Sequence, residues 1–228
     1  MRVAALVLAA GSSQRFGGRP KQFEDLGGAT VLQHSVRAFV GVDGIAEVWV
    51  VTAQEYVERT QTLLAGEDIA GVMIGGHTRA DSTQLGLRAL APDISHVVIH
   101  DAARPLVPGA IVNSCVKALW DADVVATVIE PVDSVVLVDG DSVVATPDRS
   151  QVRMYQTPQG FRRSVLAAAW DRLEGAGDDA PTDDVTAVLR AFPELPVAWV
   201  PGHRRSHKIT LPEDLSVLRA LLASGEAR

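Results

Sequence analysis

Positively charged side chains and glycines lie directly after the first apolar run of the chain, in the segment LVLAAGSSQRFGGRPKQF (6–23). The backbone N–H groups of such a Gly/Ser-rich loop can hydrogen-bond phosphate oxygens, and Arg15, Arg19 and Lys21 would supply positive charge. The spacing matches neither the Walker A motif nor the dinucleotide-binding fingerprint, which would need Gly in place of Ser13. The segment predicts a phosphate-binding loop, with a solvated surface loop as the alternative.

An aspartate and an arginine follow the fourth predicted strand, in HDAARP (100–105). Ligands of open α/β sheets bind beyond the carboxyl ends of the strands, which is where Asp101 and Arg104 would lie. We expect Asp101 to accept a hydrogen bond from a ligand hydroxyl and Arg104 to bind a phosphate. A structural salt bridge between the two residues is the alternative.

A third segment, DRSQVRMYQTPQGF (148–161), combines arginines with a Thr157-Pro158 dipeptide. Proline at 158 disfavours helix at Thr157 and favours extended backbone, which would leave the threonine hydroxyl free to bond a ligand. Arg149 and Arg153 precede this corner and could bind an anion. The alternative is a plain turn that enters a helix.

Lysine is rare in this chain, which contains eighteen Arg and only Lys21, Lys117 and Lys208. The skew is typical of a genome that favours Arg, and a lysine present despite it hints at a need for a compact point charge. Lys208 lies in SHKITLPEDL (206–215), in a short extended run before a predicted helix. A solvated lysine at the edge of the fold is the alternative interpretation.

Strands and helices alternate over the first two-thirds of the chain. Short apolar runs predict strands at 3–9, 47–52, 71–74, 96–100 and 124–129, and amphipathic patterns predict helices at 30–40, 55–64, 80–90 and 108–120. This alternation predicts βαβ units, and therefore an α/β fold with a doubly wound, mostly parallel sheet. The first two of the segments above would lie at the carboxyl edge of that sheet.

The alternation stops at residues 130–156, where two apolar runs flank Asp139-Gly140-Asp141. This pattern predicts a β-hairpin, which would project as an arm and need cover from a second subunit. Beyond the arm, the pattern predicts a helix at 163–174, a loop at 175–184, a helix at 184–190, a strand at 197–200 and a helix at 212–223. We expect one domain over residues 1–228.

Composition limits the class of protein. With 228 residues, 47% of them hydrophobic, the chain is long and apolar enough for a sizeable core. A net charge of −7 argues against a nucleic-acid-coating protein. No apolar run approaches the roughly 18 to 20 residues that span a bilayer, so no membrane segment is expected. The single Cys115 fits a reducing compartment, and we expect a cytoplasmic protein.

The chain resembles the 2-C-methyl-D-erythritol 4-phosphate cytidylyltransferases, which have the Rossmann-like nucleotide-diphospho-sugar transferase fold. The segments that carry the resemblance are, in order, AAGSSQRF, RPKQ, GGHTRADS, HDAARP, TPQGF, PTDD and HKITLPEDL. Each is weak alone, but together they cover almost the whole chain. The resemblance implies transfer of CMP from CTP to 2-C-methyl-D-erythritol 4-phosphate, giving 4-diphosphocytidyl-2-C-methyl-D-erythritol and pyrophosphate for isoprenoid precursor synthesis.

The resemblance also implies a role for individual residues. Those around the reacting phosphates would be Arg15, Lys21 and Lys208. Those that bind the nucleotide would be Ala9, Ala10, Gly11, Gly76, Arg79 and Ser82. Those on the acceptor side would be Asp101, Arg104, Ser134, Arg149, Thr157 and Thr182. In that family the arm crosses a homodimer, so Ser134 and Arg149 would serve the partner's site. Mg²⁺ is also expected, and it would be held mainly by the phosphates of CTP.

Four positions depart from the usual residues of this family: Ser13 replaces Gly, Phe16 replaces Met, His77 replaces an acidic residue and Ser134 replaces Thr. Serine at 134 keeps a hydroxyl. Serine at 13 matters most, because Gly is used where the backbone needs a positive φ or must approach a phosphate closely.

Two other functions stay open at the level of sequence. A related cytidylyltransferase could act on a pentitol phosphate such as ribitol 5-phosphate, which Met154-Tyr155-Gln156 before TPQ weakly favours. A non-catalytic nucleotide-sugar sensor could keep the fold, although the presence of both Lys21 and Lys208 argues against a mere binder.

Overall fold

A seven-stranded sheet forms the centre of the structure, a computed structural model that describes residues 1–174 and 181–225. Its strands are β1 (Val3–Leu8), β2 (Ile45–Thr52), β3 (Gly71–Ile74), β4 (His96–Asp101), β5 (Val124–Ile129), β8 (Met154–Arg162) and β9 (Ala198–Pro201). Their order is β3-β2-β1-β4-β8-β5-β9, and every neighbouring pair is parallel except the two that involve β8. The predicted α/β fold with a mostly parallel sheet is confirmed.

Helices cover both faces of this sheet. They are α1 (Val31–Arg37), α2 (Val57–Leu63), α3 (Arg79–Ala89), α4 (Gly109–Ala118), α5 (Arg163–Arg172), α6 (Asp184–Ala191) and α7 (Asp214–Ala223). All six residues of β1 are buried, as an uninterrupted apolar run should be between two helical layers. Val7 packs in one core with residues of α1 and α4, while Leu6 packs in the other with residues of α3, α5 and α6. Among the described residues, no helix is long and apolar enough to cross a bilayer.

The strand β8 is the main element that the sequence pattern did not predict. It runs antiparallel between β4 and β5, although it contains Pro158 and Gly160. The register shifts between Val125 and Thr127 of β5, so three residues of β8, including Pro158, lie opposite one residue. Such a bulge accommodates a proline, which has no N–H to donate to the ladder. The expectation of a corner at residues 157–158 is therefore wrong, whereas the extended backbone there is confirmed.

The predicted hairpin exists but is shorter than its apolar runs. Its strands are β6 (Leu137–Asp139) and β7 (Ser142–Ala145), and Gly140 at the turn has a φ of 54°. Their side chains are exposed, including those of Val138 and Val143. Part of the loop predicted at 175–184, residues 175–180, lies outside the described residues.

Candidate active site

A cavity of about 180 Å³ opens at the carboxyl ends of β1 and β4. The residues that line it are Leu8, Ala9, Ala10, Gly11, Lys21, Gln22, His77, Thr78, Arg79, Ser82, Asp101, Ala102, Ala103 and Lys208. They come from the loop after β1, the start of α3, the end of β4 and the segment before α7. The carboxyl edge of a parallel sheet is the usual ligand site of such folds, so this cavity is the candidate active site.

Local contacts hold the loop after β1 in a fixed shape. Phe16 is buried against Leu26 and Ile209 in a small core, and the Gln22 side chain donates to the Ala9 carbonyl at 3.2 Å. Ser13 has a φ of 55°, the left-handed conformation that glycine adopts readily. Of the two reasons for glycine at this position, the structure shows the positive φ, and a serine adopts it.

Two of the three lysines of the chain meet in the cavity. The Lys21 ammonium donates to the Ile209 carbonyl at 2.8 Å, and the Lys208 ammonium donates to Asp101 at 2.7 Å. Burial, and then the positive charge of Lys208, lower the pKa of Lys21. Arg15 is exposed and is not among the lining residues, although its charge also lowers the pKa of Lys21. The cavity therefore presents two ammonium groups, both suited to binding phosphate.

The Asp101 carboxylate has a cation on each oxygen. Arg79 Nε donates to Oδ1 at 3.1 Å and Lys208 Nζ to Oδ2 at 2.7 Å. Although burial opposes ionisation, these cations hold the pKa of Asp101 far below its ordinary value. Arg104, the partner proposed as the structural alternative, instead donates to the Ser206 carbonyl at 2.7 Å. Asp101 therefore remains ionised, and its salt bridges join distant elements rather than residues of its own turn.

Arg79 also reaches a second carboxylate below the cavity. Its Nη1 donates at 2.6 Å to Asp184, which is fully buried and also accepts from Trp170 Nε1 at 3.1 Å. Although burial opposes its charge, the two carboxylates raise the pKa of Arg79. Arg79 thereby joins the starts of α3 and α6 to the end of β4, and it is held by protein groups on both sides.

The segment before α3 is fixed by Ser82. Its Oγ accepts from the Gly76 N–H at 3.2 Å and donates to the Thr78 carbonyl at 2.9 Å. Any side chain at Gly76 would collide with Asp81, because a Cβ there would lie 2.2 Å from the Asp81 Cβ. Ser82 lines the cavity and Gly76 does not, so Gly76 is placed to shape the wall through its backbone.

Thr157 does not present a free hydroxyl. Only 4% of the residue is exposed, its Oγ1 accepts from the Asp101 N–H at 3.1 Å, and it is 2.9 Å from His100 Nδ1. It is not among the lining residues. The expectation of a hydroxyl free for a ligand is wrong, since Pro158 predicts extended backbone at Thr157 and not the partners of the Thr157 side chain.

Three predicted acceptor-side residues lie away from the cavity. Ser134 is exposed in the segment that leads into the arm, and Thr182 is exposed just before α6. Arg149 is exposed and donates to the Pro131 carbonyl at 2.8 Å. A role for the arm residues in a partner's site stays a prediction. Conversely, sequence reasoning missed Asp184, which the PTDD segment contains, and His100, whose only signal was its place beside Asp101.

The lining residues offer little to a metal ion. Among residues 1–174 and 181–225, no group of three His, Cys, Asp or Glu side chains could hold one. Asp101 is the one carboxylate among the residues that line the cavity, and both its oxygens accept from cations. A metal there would have to be coordinated mostly by a ligand and by water.

Comparison with known proteins agrees with this geometry. Residues 3–224 match the family model described as 2-C-methyl-D-erythritol 4-phosphate cytidylyltransferase. The chain belongs to this family. The protein of that name from Thermobifida fusca is 37% identical to this chain, and the match covers 100% of this chain and 96% of the relative. The protein of that name from Rhodococcus jostii is 40% identical, and the match covers 98% of this chain and 96% of the relative.

Solved structures of the family have the same fold. The 4-diphosphocytidyl-2C-methyl-D-erythritol synthase from Anaerococcus prevotii superposes with a TM-score of 0.88 at 29% identity, covering 97% of this chain and 96% of that one. The 2-C-methyl-D-erythritol 4-phosphate cytidylyltransferase from Thermus thermophilus superposes with a TM-score of 0.75 at 30% identity, covering 98% and 100%. The family resemblance inferred from the seven segments is confirmed.

Proposed function

We propose that this chain transfers CMP from CTP to 2-C-methyl-D-erythritol 4-phosphate. The products are 4-diphosphocytidyl-2-C-methyl-D-erythritol, an isoprenoid precursor, and pyrophosphate. The observation that carries this proposal is the meeting of Lys21 and Lys208 over the backbone of residues 9–11, inside a family match over residues 3–224. The Ala9 N–H bonds the Val51 carbonyl at 2.7 Å, so the N–H groups of Ala10 and Gly11, beside the two ammonium groups, would bind a triphosphate.

The reaction is a displacement at the α-phosphorus of CTP. An oxygen of the acceptor phosphate forms a bond to that phosphorus, and the bond to the β-phosphate oxygen breaks as pyrophosphate leaves. The attacking oxygen is already an anion, so the protein contributes alignment and neutralisation of charge rather than a base. Lys21 and Lys208 supply that positive charge, with Arg15 nearby at the exposed rim.

Asp101 and Arg79 keep the charges of the cavity balanced during this reaction. When Lys208 turns from Asp101 to a phosphate, Arg79 still pairs with the carboxylate. The carboxylate therefore stays ionised and free to accept from an acceptor hydroxyl on its Lys208 side. Arg104 adds positive charge from the same turn.

Mg²⁺ is the cofactor that we propose for the site. Its preference for phosphate oxygens and water over all-protein coordination fits a cavity whose single lining carboxylate is already paired. An ion bound to the triphosphate would neutralise phosphate charge there.

We also infer a cytoplasmic homodimer. The exposed apolar side chains of β6 and β7 suit cover by a second copy, which would bring Ser134 and Arg149 towards the partner's acceptor site. The single Cys115 is buried as a free thiol, which fits a reducing compartment.

Comparing acceptors tests the proposed activity. Purified protein is mixed with CTP, Mg²⁺ and either 2-C-methyl-D-erythritol 4-phosphate or ribitol 5-phosphate, and pyrophosphate is measured over time. We expect the first acceptor to give a kcat/KM at least tenfold higher. A preference for ribitol 5-phosphate would favour a pentitol-phosphate enzyme, and pyrophosphate from neither would favour a non-catalytic sensor.

A further inference from the structure

A buried imidazole lies directly beneath the candidate site. His100 is 0% exposed at the end of β4, with its ring 4.8 Å from that of Phe39. Its Nδ1 is 2.9 Å from Thr157 Oγ1, and its Nε2 is 3.2 Å from the Arg104 carbonyl oxygen. Both ring nitrogens are therefore engaged, and neither faces the cavity.

The partners of His100 assign every proton in this cluster. A carbonyl oxygen can only accept, so His100 Nε2 carries the hydrogen and donates to Arg104. Nδ1 is then an acceptor and receives the Thr157 O–H. The Thr157 oxygen in turn accepts from the Asp101 N–H at 3.1 Å. Burial lowers the pKa of His100 to about 3, so the ring stays neutral near pH 7 and keeps this tautomer.

The cluster holds both ends of one turn, residues 101–104. The Asp101 N–H is fixed through Thr157, and the Arg104 carbonyl is fixed directly by His100. The turn contributes Asp101, Ala102 and Ala103 to the wall of the cavity. A change in the imidazole would therefore be transmitted to the cavity wall.

The same turn holds the segment that carries Lys208. The Ala103 carbonyl accepts from the Ile209 N–H at 2.8 Å, and the Arg104 guanidinium donates to the Ser206 carbonyl at 2.7 Å. The Ile209 carbonyl accepts from the Lys21 ammonium at 2.8 Å. Both lysines of the cavity thus depend on the position of the 101–104 turn.

We propose that His100 and Thr157 are positioning residues, which set the 101–104 turn and through it Lys21 and Lys208 without touching either substrate. This inference rests on the proposed function for its kinetic consequence. It assigns Thr157 a different role from the acceptor contact that the family resemblance implied. Displacing a reacting group by about 1 Å can cost on the order of 100-fold in rate, so a buried hydroxyl below the site can matter to catalysis.

Substitution of Thr157 separates the two roles. Thr157→Val removes the hydroxyl and should lower kcat at least tenfold, with the KM for the acceptor changed less than threefold. Thr157→Ser keeps the hydroxyl and should stay within threefold of wild type. The matched control is Thr127→Val. Thr127 is also buried, at 0% exposed, and its hydroxyl donates to the Pro158 carbonyl of β8, the strand that contains Thr157. We expect the control to keep its kcat within threefold.

A double-mutant cycle tests whether Thr157 acts through His100. His100→Phe should lower kcat by a factor similar to that of Thr157→Val. The kcat of the double variant should be no more than threefold lower than that of the less active single variant. A Thr157→Val variant that raises only the acceptor KM, or whose effect multiplies with that of His100→Phe, would show direct contact with the acceptor and overturn the proposal. Unchanged kinetics in Thr157→Val would also overturn it.

Nuclear magnetic resonance tests the cluster independently of activity. It is measured on wild type and the Thr157 variants, so it does not depend on His100→Phe folding. In wild type we expect His100 to be protonated at Nε2 only and not to titrate between about pH 5 and 9. The Asp101 amide should shift in Thr157→Val and not in Thr157→Ser. A ring that titrates near its ordinary pKa, or is protonated at Nδ1, would contradict the cluster itself. A wild type inactive on both acceptors would instead contradict only the proposed function.

Discussion

At the scale of single residues, Asp101 determines how charge is arranged in the candidate site. It attracts Arg79 and Lys208 from different elements, and it is buried because both of its oxygens are paired. A buried carboxylate left with no cation would be strongly destabilised, but Arg79 would still pair with Asp101 when Lys208 turns to a phosphate. The proposed exchange would keep the site stable before binding and free the Lys208 ammonium for a triphosphate.

The choice of nucleotide should depend on the wall near residues 76–82. Ser82 lines the cavity and fixes the Gly76 N–H, so the wall that Ser82 holds would offer a backbone acceptor to the cytosine amino group. Uracil presents a carbonyl at the same position, which leaves a buried polar group unpaired at about 1 to 3 kcal/mol. We expect kcat/KM for CTP to exceed that for UTP at least tenfold, measured by pyrophosphate release. Ser82→Ala should reduce the preference for CTP over UTP. The control Ser216→Ala, on the exposed side of α7, should leave that preference unchanged. Equal turnover of CTP and UTP by the wild type would refute the assignment.

The stability of the fold should fall in mild acid because of His100. Its pKa is about 3 in the folded protein and about 6.5 when solvated, so the unfolded chain binds more protons between these values. Its contribution is complete above about pH 6.5 and is lost as the pH falls towards 3. At pH 5 the free energy of unfolding should be about 2 kcal/mol lower than at pH 8 from this residue alone. Urea denaturation of wild type and His100→Phe measures it, and an equal loss in both proteins would contradict the assignment.

At the scale of elements, the loop after β1 contains the clearest backbone strain. Ser13 is the one non-glycine residue with a positive φ among residues 1–174 and 181–225, and its hydroxyl lies 3.4 Å from the Lys21 N–H. Glycine would adopt this conformation at no steric cost, but alanine would keep the strain and lose the hydroxyl. Ser13→Gly should therefore be more stable than Ser13→Ala by about 1 kcal/mol in urea denaturation. A less stable glycine variant would argue that the loop is unstrained.

Periodicity predicted most elements because their apolar faces repeat with one clear period. The strands at 71–74 and 124–129 have the predicted bounds. The strand β8 escaped prediction because Pro158 and Gly160 are unfavourable in strands, and only the bulge opposite β5 accommodates them. Local sequence does not carry that information, since the bulge is defined by a partner strand.

The candidate site was predicted unevenly for a related reason. Lys21 was predictable because its loop follows β1, which ends at the ligand edge, whereas the role of Lys208 came from the family resemblance. The partners of Asp101 were not, because a long side chain such as Arg79 reaches across the fold and its target depends on packing. Likewise, His100 and Thr157 are 57 positions apart, and no pattern in the sequence joins them.

At the scale of the whole molecule, the proposed homodimer would make the site a property of two chains. Val138 and Val143 are each 64% exposed on opposed strands. An isolated hairpin of this kind is marginal in water, and a two-fold partner is the commonest source of cover. Arg149 lies at the base of the arm and would enter the neighbouring acceptor site.

Mixing subunits tests this arrangement. Homodimers of Arg149→Ala and of Lys21→Ala should each be nearly inactive, whereas a heterodimer of the two has one site with both defects and one with neither. About half of the wild-type activity per heterodimer should return. No recovery, in heterodimers purified through two different tags, would place Arg149 in its own subunit's site or remove it from acceptor binding.

If CTP reacts between Lys21 and Lys208, Lys21→Ala should slow the reaction far more than it weakens binding of CTP. The measurement is kcat for pyrophosphate release, taken beside the Kd for CTP from calorimetry, with Lys117→Ala on the exposed side of α4 as the matched control. A lysine that engages mainly transition-state charge predicts a kcat lowered on the order of 100- to 1,000-fold, a Kd changed less than about threefold, and an unaffected control. A kcat near wild type with only the Kd or KM raised would make Lys21 a binding residue and contradict the claim.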